Sequence, residues 1–285
     1  MSDSQTTLPK HLYHYTSQKG LLGILGDPIN QSKPRLWMTN ILYLNDSSEF
    51  TYTINLVKQE LMERKENILK DKETSTSIDP KLLEKYSLIE KILDLFLREP
   101  KTESYVFSMT NNIDDLNQWR GYCPKEGGFC IQFDYDRLLS LIKMTNTFEN
   151  LKYEIIKCEY DLTVQRDLIK SLIDNNIDNR SFFSKLIYLS SYIKDYSFQS
   201  EDEYRIIYSG KKNGIHYREG KSMIVPFIEF ELPFTEGLLQ MIPISKIIVG
   251  PTPHKHLSKV SIERLIKSKN YEIEVETSKI PYRSW

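Results

Sequence analysis

Short strand-like runs alternate with helical stretches along the whole chain, and the longest apolar runs, such as 247–249, span only a few residues. A spanning helix needs roughly 18 consecutive apolar residues, so the pattern excludes a membrane-crossing role. Residues 11–15, His-Leu-Tyr-His-Tyr, read as an aromatic strand, and Thr16-Ser17 as the cap of a short helix through residues 20–25. Residues 35–39 read as a second strand, and Asn45-Asp-Ser-Ser48 as the cap of a helix starting near Glu49. Leu56, Leu61 and Met62, then Leu82, Leu83, Ile89, Ile92, Leu93 and Phe96, recur at helical steps on either side of a polar stretch at 70–80. Residues 49–97 are therefore read as a helical hairpin inserted into the main domain, an appendage with its own surface.

Further strands are expected at 105–109, 127–133, 203–208, 223–230, 246–249 and 271–276, with 153–160 extended. Helices are expected at 114–120, over most of 168–196 and at 256–268. This interleaving predicts one α+β domain over 1–285 with mixed sheets and the 49–97 hairpin inside it.

Lys and Arg total 38 against 39 Asp and Glu, so the molecule as a whole has no built-in attraction to nucleic acid or an anionic membrane. The first ten residues carry no apolar segment of a secretory signal, and three scattered Cys make no disulfide framework, which predicts a cytoplasmic, reduced protein. Gly20, Gly23 and Gly26 fit neither the dinucleotide loop nor the phosphate loop. The aromatics, 18 Tyr, 12 Phe and 3 Trp, serve equally for core packing and for stacking on a planar ligand.

An ionisable group in an apolar strand needs a partner or a task. His14 and Glu203 are the clearest cases. Strand alternation places Glu201, Glu203 and Arg205 on one face, where they suit sugar hydroxyls, although the pattern alone points first to an edge strand with a solvent-facing Glu–Arg ladder. His14 reads either as a core histidine bonded to backbone, or as a ligand contact beside the helix start just after it. Trp119 and Tyr122 read as a stacking platform or as core. No serine-nucleophile elbow, zinc-helix motif or zinc-spaced Cys pair is present, and no metal is expected.

Leu12-Tyr-His-Tyr-Thr-Ser17, Gly20-Leu21, Leu36-Trp37, Leu44-Asn-Asp46, Phe107-Ser108, Trp119, Tyr122, Gly128-Phe-Cys130, Glu201-x-Glu-Tyr-Arg205 and Ile280-Pro-Tyr-Arg283 together resemble a bacterial family catalogued only as a domain of unknown function. More distantly, Tyr13-His14-Tyr15-Thr16 with the adjoining Gly-Leu helix is similar to the first motif of ADP-ribosyltransferases of the His-Tyr-Glu class, with Tyr15 where those enzymes prefer Gly. The second motif is then either 36–39 with Tyr43, or 107–110 with Trp119 and Tyr122. Glu203 would be the third.

That resemblance implies an ADP-ribosyltransferase-like fold and an NAD-binding transferase or NAD glycohydrolase, of a kind used in bacterial conflict or stress responses. Glu203 would be the catalytic carboxylate. His14, Tyr15, Thr16, Trp37, Tyr43, Ser108, Trp119, Tyr122, Glu201 and Arg205 would hold the nucleotide, the acceptor being left open among a protein, a nucleic acid and water. It also implies that His14, Glu203 and one of Tyr43, Trp119 and Tyr122 line one cleft. The alternative is a non-catalytic nucleotide- or partner-binding domain on the same scaffold.

Overall fold

Apolar side chains on both sides of the strand pleat give a sheet that must be covered twice, and the computed structural model of the chain shows that arrangement. It describes residues 8–26, 33–44, 48–71, 80–149, 152–177, 181–210, 214–220, 222–232, 234–236 and 239–281. The expected cap at Asn45 to Ser47, most of the polar stretch at 70–80, and residues 282–283 of the last motif lie outside them.

In chain order the elements are β1 (His11–Thr16), α1 (Gln18–Leu25), β2 (Arg35–Asn40), α2 (Ser48–Asp71), α3 (Pro80–Arg98), β3 (Ser104–Thr110), α4 (Leu116–Tyr122), β4 (Phe129–Asp134) and α5 (Tyr135–Glu149). The second half of the chain adds β5 (Tyr153–Lys157), α6 (Leu162–Asn176), α7 (Phe182–Ser190), β6 (Glu203–Ser209), β7 (His216–Glu219), β8 (Ile224–Glu231), β9 (Phe234–Glu236), β10 (Leu239–Met241), β11 (Ile244–Val249), α8 (Lys255–Ser268) and β12 (Glu274–Thr277). Turns of 3-10 helix occupy Ile41–Tyr43 and Tyr196–Glu201.

Ten strands form one mixed sheet in the order β12-β11-β4-β1-β3-β2-β8-β7, with β6 pairing β3 and β5. All these pairs are antiparallel except β11 with β12. Helices lie on both faces. Leu21, Ile24 and Leu25 of α1, Leu138, Leu141 and Ile142 of α5, and Ile262 and Ile266 of α8 bury one face with Phe107, Ile131 and Ile206. Phe50, Ile54, Val57 and Leu61 of α2, with α3, α6 and α7, bury the other against Val106 and Ile207.

The inserted hairpin is thus half of a second core rather than an appendage with a surface of its own. Helix α5 has no counterpart in the sequence expectations, although Leu138, Leu141 and Ile142 carry the spacing. The stretch expected to be mostly helical over 168–196 divides, because helix ends at Ser190 and the next residues pair as strand. Glu159 N donates to Tyr192 O and Lys194 N donates to Glu159 O.

The sheet is irregular along β3. β6 pairs β3 over seven residues, from Ser104↔Ser209 to Thr110↔Glu203. The other edge of β3 is divided. β1 meets it only at Tyr13↔Thr110 and β2 only at Thr39↔Val106 and Asn40↔Tyr105. Between them the sheet forks.

Candidate functional site

Two polar centres flank β3. The first is the fork. His14 Nδ1 donates to Ser108 O at 2.8 Å, in the part of β3 that neither β1 nor β2 pairs, and the imidazole lies 4.3 Å from the Phe107 ring. A carbonyl only accepts, so Nδ1 carries the proton and Nε2 is left as a bare acceptor. Nε2 has no hydrogen-bond partner among the described residues. Burial, aided by the nearby Arg218 charge and opposed by the bond to Ser108, lowers the His14 pKa to about 4. The ring is neutral near pH 7.

Across the fork, Arg218 Nη2 donates to Thr39 Oγ1 at 3.0 Å. Trp37 lies two residues before Thr39 on the same face, 5.3 Å from Phe227, and Gly23 is its neighbour because a Cβ there would stand 2.7 Å from the indole.

The second centre is a buried ion network. Arg205 Nε and Nη2 donate to the two carboxylate oxygens of Glu203 at 2.8 and 3.0 Å, Nη2 reaches Glu49 at 2.9 Å, and Nη1 donates to Ser191 O at 2.9 Å. Lys194 Nζ donates to Glu203 at 2.7 Å and Glu201 at 2.5 Å, and lies 3.2 Å from Glu49. Lys194 is 3% exposed, Glu203 5% and Arg205 1%. Tyr122, on the rim, donates to the other oxygen of Glu201 at 2.8 Å.

Burial by itself would raise the Glu203 pKa, but Arg205 and Lys194 outweigh it and hold that carboxyl at about 2. Glu49 goes the other way: burial raises it despite Arg205. Burial disfavours the Lys194 ammonium, yet Glu203 and Glu49 more than compensate and keep it protonated.

The structure corrects the expected geometry in four places. β6 is interior, between β3 and β5, so Glu203 and Arg205 form no solvent-facing ladder. Glu201 is not in the strand; it ends a 3-10 turn, and Asp202 takes φ 40°, so the turn and not strand alternation brings Glu201 beside Glu203.

The expected common cleft is also absent. Glu203 pairs directly with Thr110, and Thr110 with Tyr13, so these three share a face. His14 points to the opposite face with Phe107. Finally, Tyr15 and Trp119 are core: they are 5% and 3% exposed, with rings at 4.7 Å edge to face. Tyr15 OH donates to Asn112 O and accepts from Asp115 N, both at 2.9 Å, and the Trp119 indole donates to Asp114 at 2.8 Å. Neither presents a free face or polar atom to a ligand.

Of the other expected residues, His14 meets Ser108 through the backbone carbonyl, Trp37 lies with Thr39 on the β2 face that pairs Val106, and Thr16 ends β1 beside α1. Glu201, Arg205 and Tyr122 gather around Glu203. Tyr43 stands exposed on the turn after β2. Lys194, Glu49, Thr39 and Arg218 were not singled out by sequence reasoning. An Ile193-Lys194 pair interrupting a helical run was a weak signal for the first; nothing local marks the rest.

Comparison with known proteins bears on the second centre. Residues 118–206 match a family described as a protein of unknown function (DUF2971). The matched stretch begins beside Trp119, ends just past Arg205 and contains Lys194, so every member of the ion network but Glu49 lies within it. The fork residues from β1, β2 and β3 lie before it. No curated protein and no solved structure matches the chain.

Proposed function

We propose that the chain is a nucleotide-binding domain whose ligand lies at the fork of the sheet. The observation that carries this reading is His14. Its Nδ1–H is committed to Ser108 O, so the neutral ring offers Nε2 as an acceptor at the only interruption described along β3, where a ribose hydroxyl is a fitting donor. Arg218, near enough for its charge to act on His14 and bonded to Thr39 of β2, adds a cationic group.

NAD is the probe of choice. Calorimetry of the whole chain is expected to give saturable NAD binding that weakens about tenfold in His14→Ala, the scale of one lost hydrogen bond. Wild type without binding heat, or a His14→Ala variant of equal affinity, overturns the reading.

A second reading places NAD, and turnover at the nicotinamide–ribose bond, on the opposite face at the ion network, and Glu201 favours it. Glu203 has both oxygens tied to Arg205 and Lys194. It has no charge to spare for an oxocarbenium centre. Glu201 is the more open carboxylate, its side chain 20% exposed against 7% for Glu203, held between Tyr122 and Lys194. On this reading Glu201→Gln lowers nicotinamide release by roughly 10²-fold while His14→Ala leaves release unchanged. Release by wild type that survives Glu201→Gln unchanged removes the assignment, and absence of release leaves a binding domain.

A further inference from the structure

We infer that Arg218, with Trp37 beside it, forms an anion subsite that takes a phosphate group. The inference rests on the nucleotide reading for the identity of the ligand but stands on separate atoms. Arg218 Nε, Trp37 Nε1 and Arg35 Nε are buried N–H donors without an acceptor among the described residues. Register places their side chains on one face, since Trp37 pairs Glu229, Arg35 pairs Glu231, and Arg218 pairs Val225. Orphaned buried donors are rare, and one on an arginine without a carboxylate points to an acceptor-rich occupant.

The charges select Arg218 as the anchor. Arg35 is already neutralised by Glu229 at 2.8 Å. Arg218 has no carboxylate partner among the described residues; its one hydrogen bond is to Thr39 Oγ1. It is half-buried on the same face of the sheet as Phe227 and Trp37, and that burial works against its charge. An uncompensated guanidinium in such a place is stabilised by an anion, and its planar fork matches two phosphate oxygens. The start of α1 approaches the same strand, with Lys19 3.7 Å from Glu219, the residue after Arg218.

Inorganic pyrophosphate tests the subsite without a nucleoside. Titrated into the whole chain, it is expected to bind, and Arg218→Gln is expected to lose at least tenfold in affinity while Arg218→Lys, which keeps the charge and loses the fork, falls between. Trp37→Phe, which removes one N–H and keeps a ring, is expected to give a smaller loss and serves as the second variant should Arg218→Gln not fold. No heat with wild type, or equal affinity in Arg218→Gln, overturns the subsite. NAD binding that is indifferent to Arg218→Gln overturns the subsite and leaves the nucleotide reading standing. Arg218-dependent pyrophosphate binding without NAD binding supports the subsite and removes the nucleotide.

Discussion

Replacing Lys194 by Met is expected to lower the unfolding free energy by about 3–5 kcal/mol, the range for removing one partner from a buried ion network. Met keeps most of the alkyl length and removes only the ammonium. What remains is three carboxylates, Glu49, Glu201 and Glu203, facing Arg205 alone. Glu49 and Glu203 cannot turn to solvent, since both are buried between α2 and β6. Denaturant unfolding followed by far-UV circular dichroism measures the loss. A change under about 1 kcal/mol, the level of a surface pair, would show that Lys194 is dispensable to the fold. The same substitution is expected to make acid unfolding begin at higher pH, because Lys194 is one of the two cations that keep the Glu203 carboxyl ionised.

Stability is expected to fall as pH drops from about 6.5 to about 4, and His14 is expected to be the cause. Its pKa in the fold lies at about 4, below the ordinary 6.5, so between those values the unfolded chain holds a proton that the folded chain does not. The contribution of neutral His14 is therefore complete above pH 6.5 and lost on the way to pH 4, a difference on the order of 3 kcal/mol.

His14→Gln keeps a donor for Ser108 O but does not titrate, so its melting temperature should stay flat across that window. Glu203 acts in a lower one. Its depressed pKa stabilises the fold fully above about 4.5, with loss towards about 2, and that limb should survive in His14→Gln. A wild-type profile flat from pH 6.5 to 4 would mean that the imidazole is solvated and the fork open around it.

Local chemistry accounts for much of the element order. A Thr16-Ser17 cap was legible because the start of the Gly-Leu helix demands an acceptor, and of the two the Ser17 hydroxyl accepts from Gly20 N. The aromatic strand around His14 and the β-branched runs of β6 and β11 were legible for the same kind of reason: each pattern is complete within a few residues. The alternatives left open at Trp119 were decided by distant residues. Gly250 lets the indole lie against its backbone, where a Cβ would stand 2.6 Å away, Tyr15 packs edge-on against it, and Asp114, close in sequence, accepts its N–H.

The candidate site was legible in its ingredients and illegible in its assembly. His14, Trp37, Ser108, Glu201 and Arg205 could be picked out because polar or aromatic groups in strand-like runs demand partners. Which partners they found depended on strand order and register. One residue of register slip exchanges the two faces of a strand, so no local pattern in β1 and β6 could say whether His14 and Glu203 share a face.

The pairing Tyr13↔Thr110↔Glu203 separates them, and it is made across 97 and 93 positions of chain. Glu49 joined the network because α2 packs on the sheet, and Arg218 reached Thr39 rather than a carboxylate among the described residues because β7 and β2 both pair β8. Short-range propensity writes strands, helices and caps into the chain; the meeting of charges far apart in sequence is settled by how the sheet is ordered, since the energy of a buried ion pair is realised only after the apolar faces have closed around it.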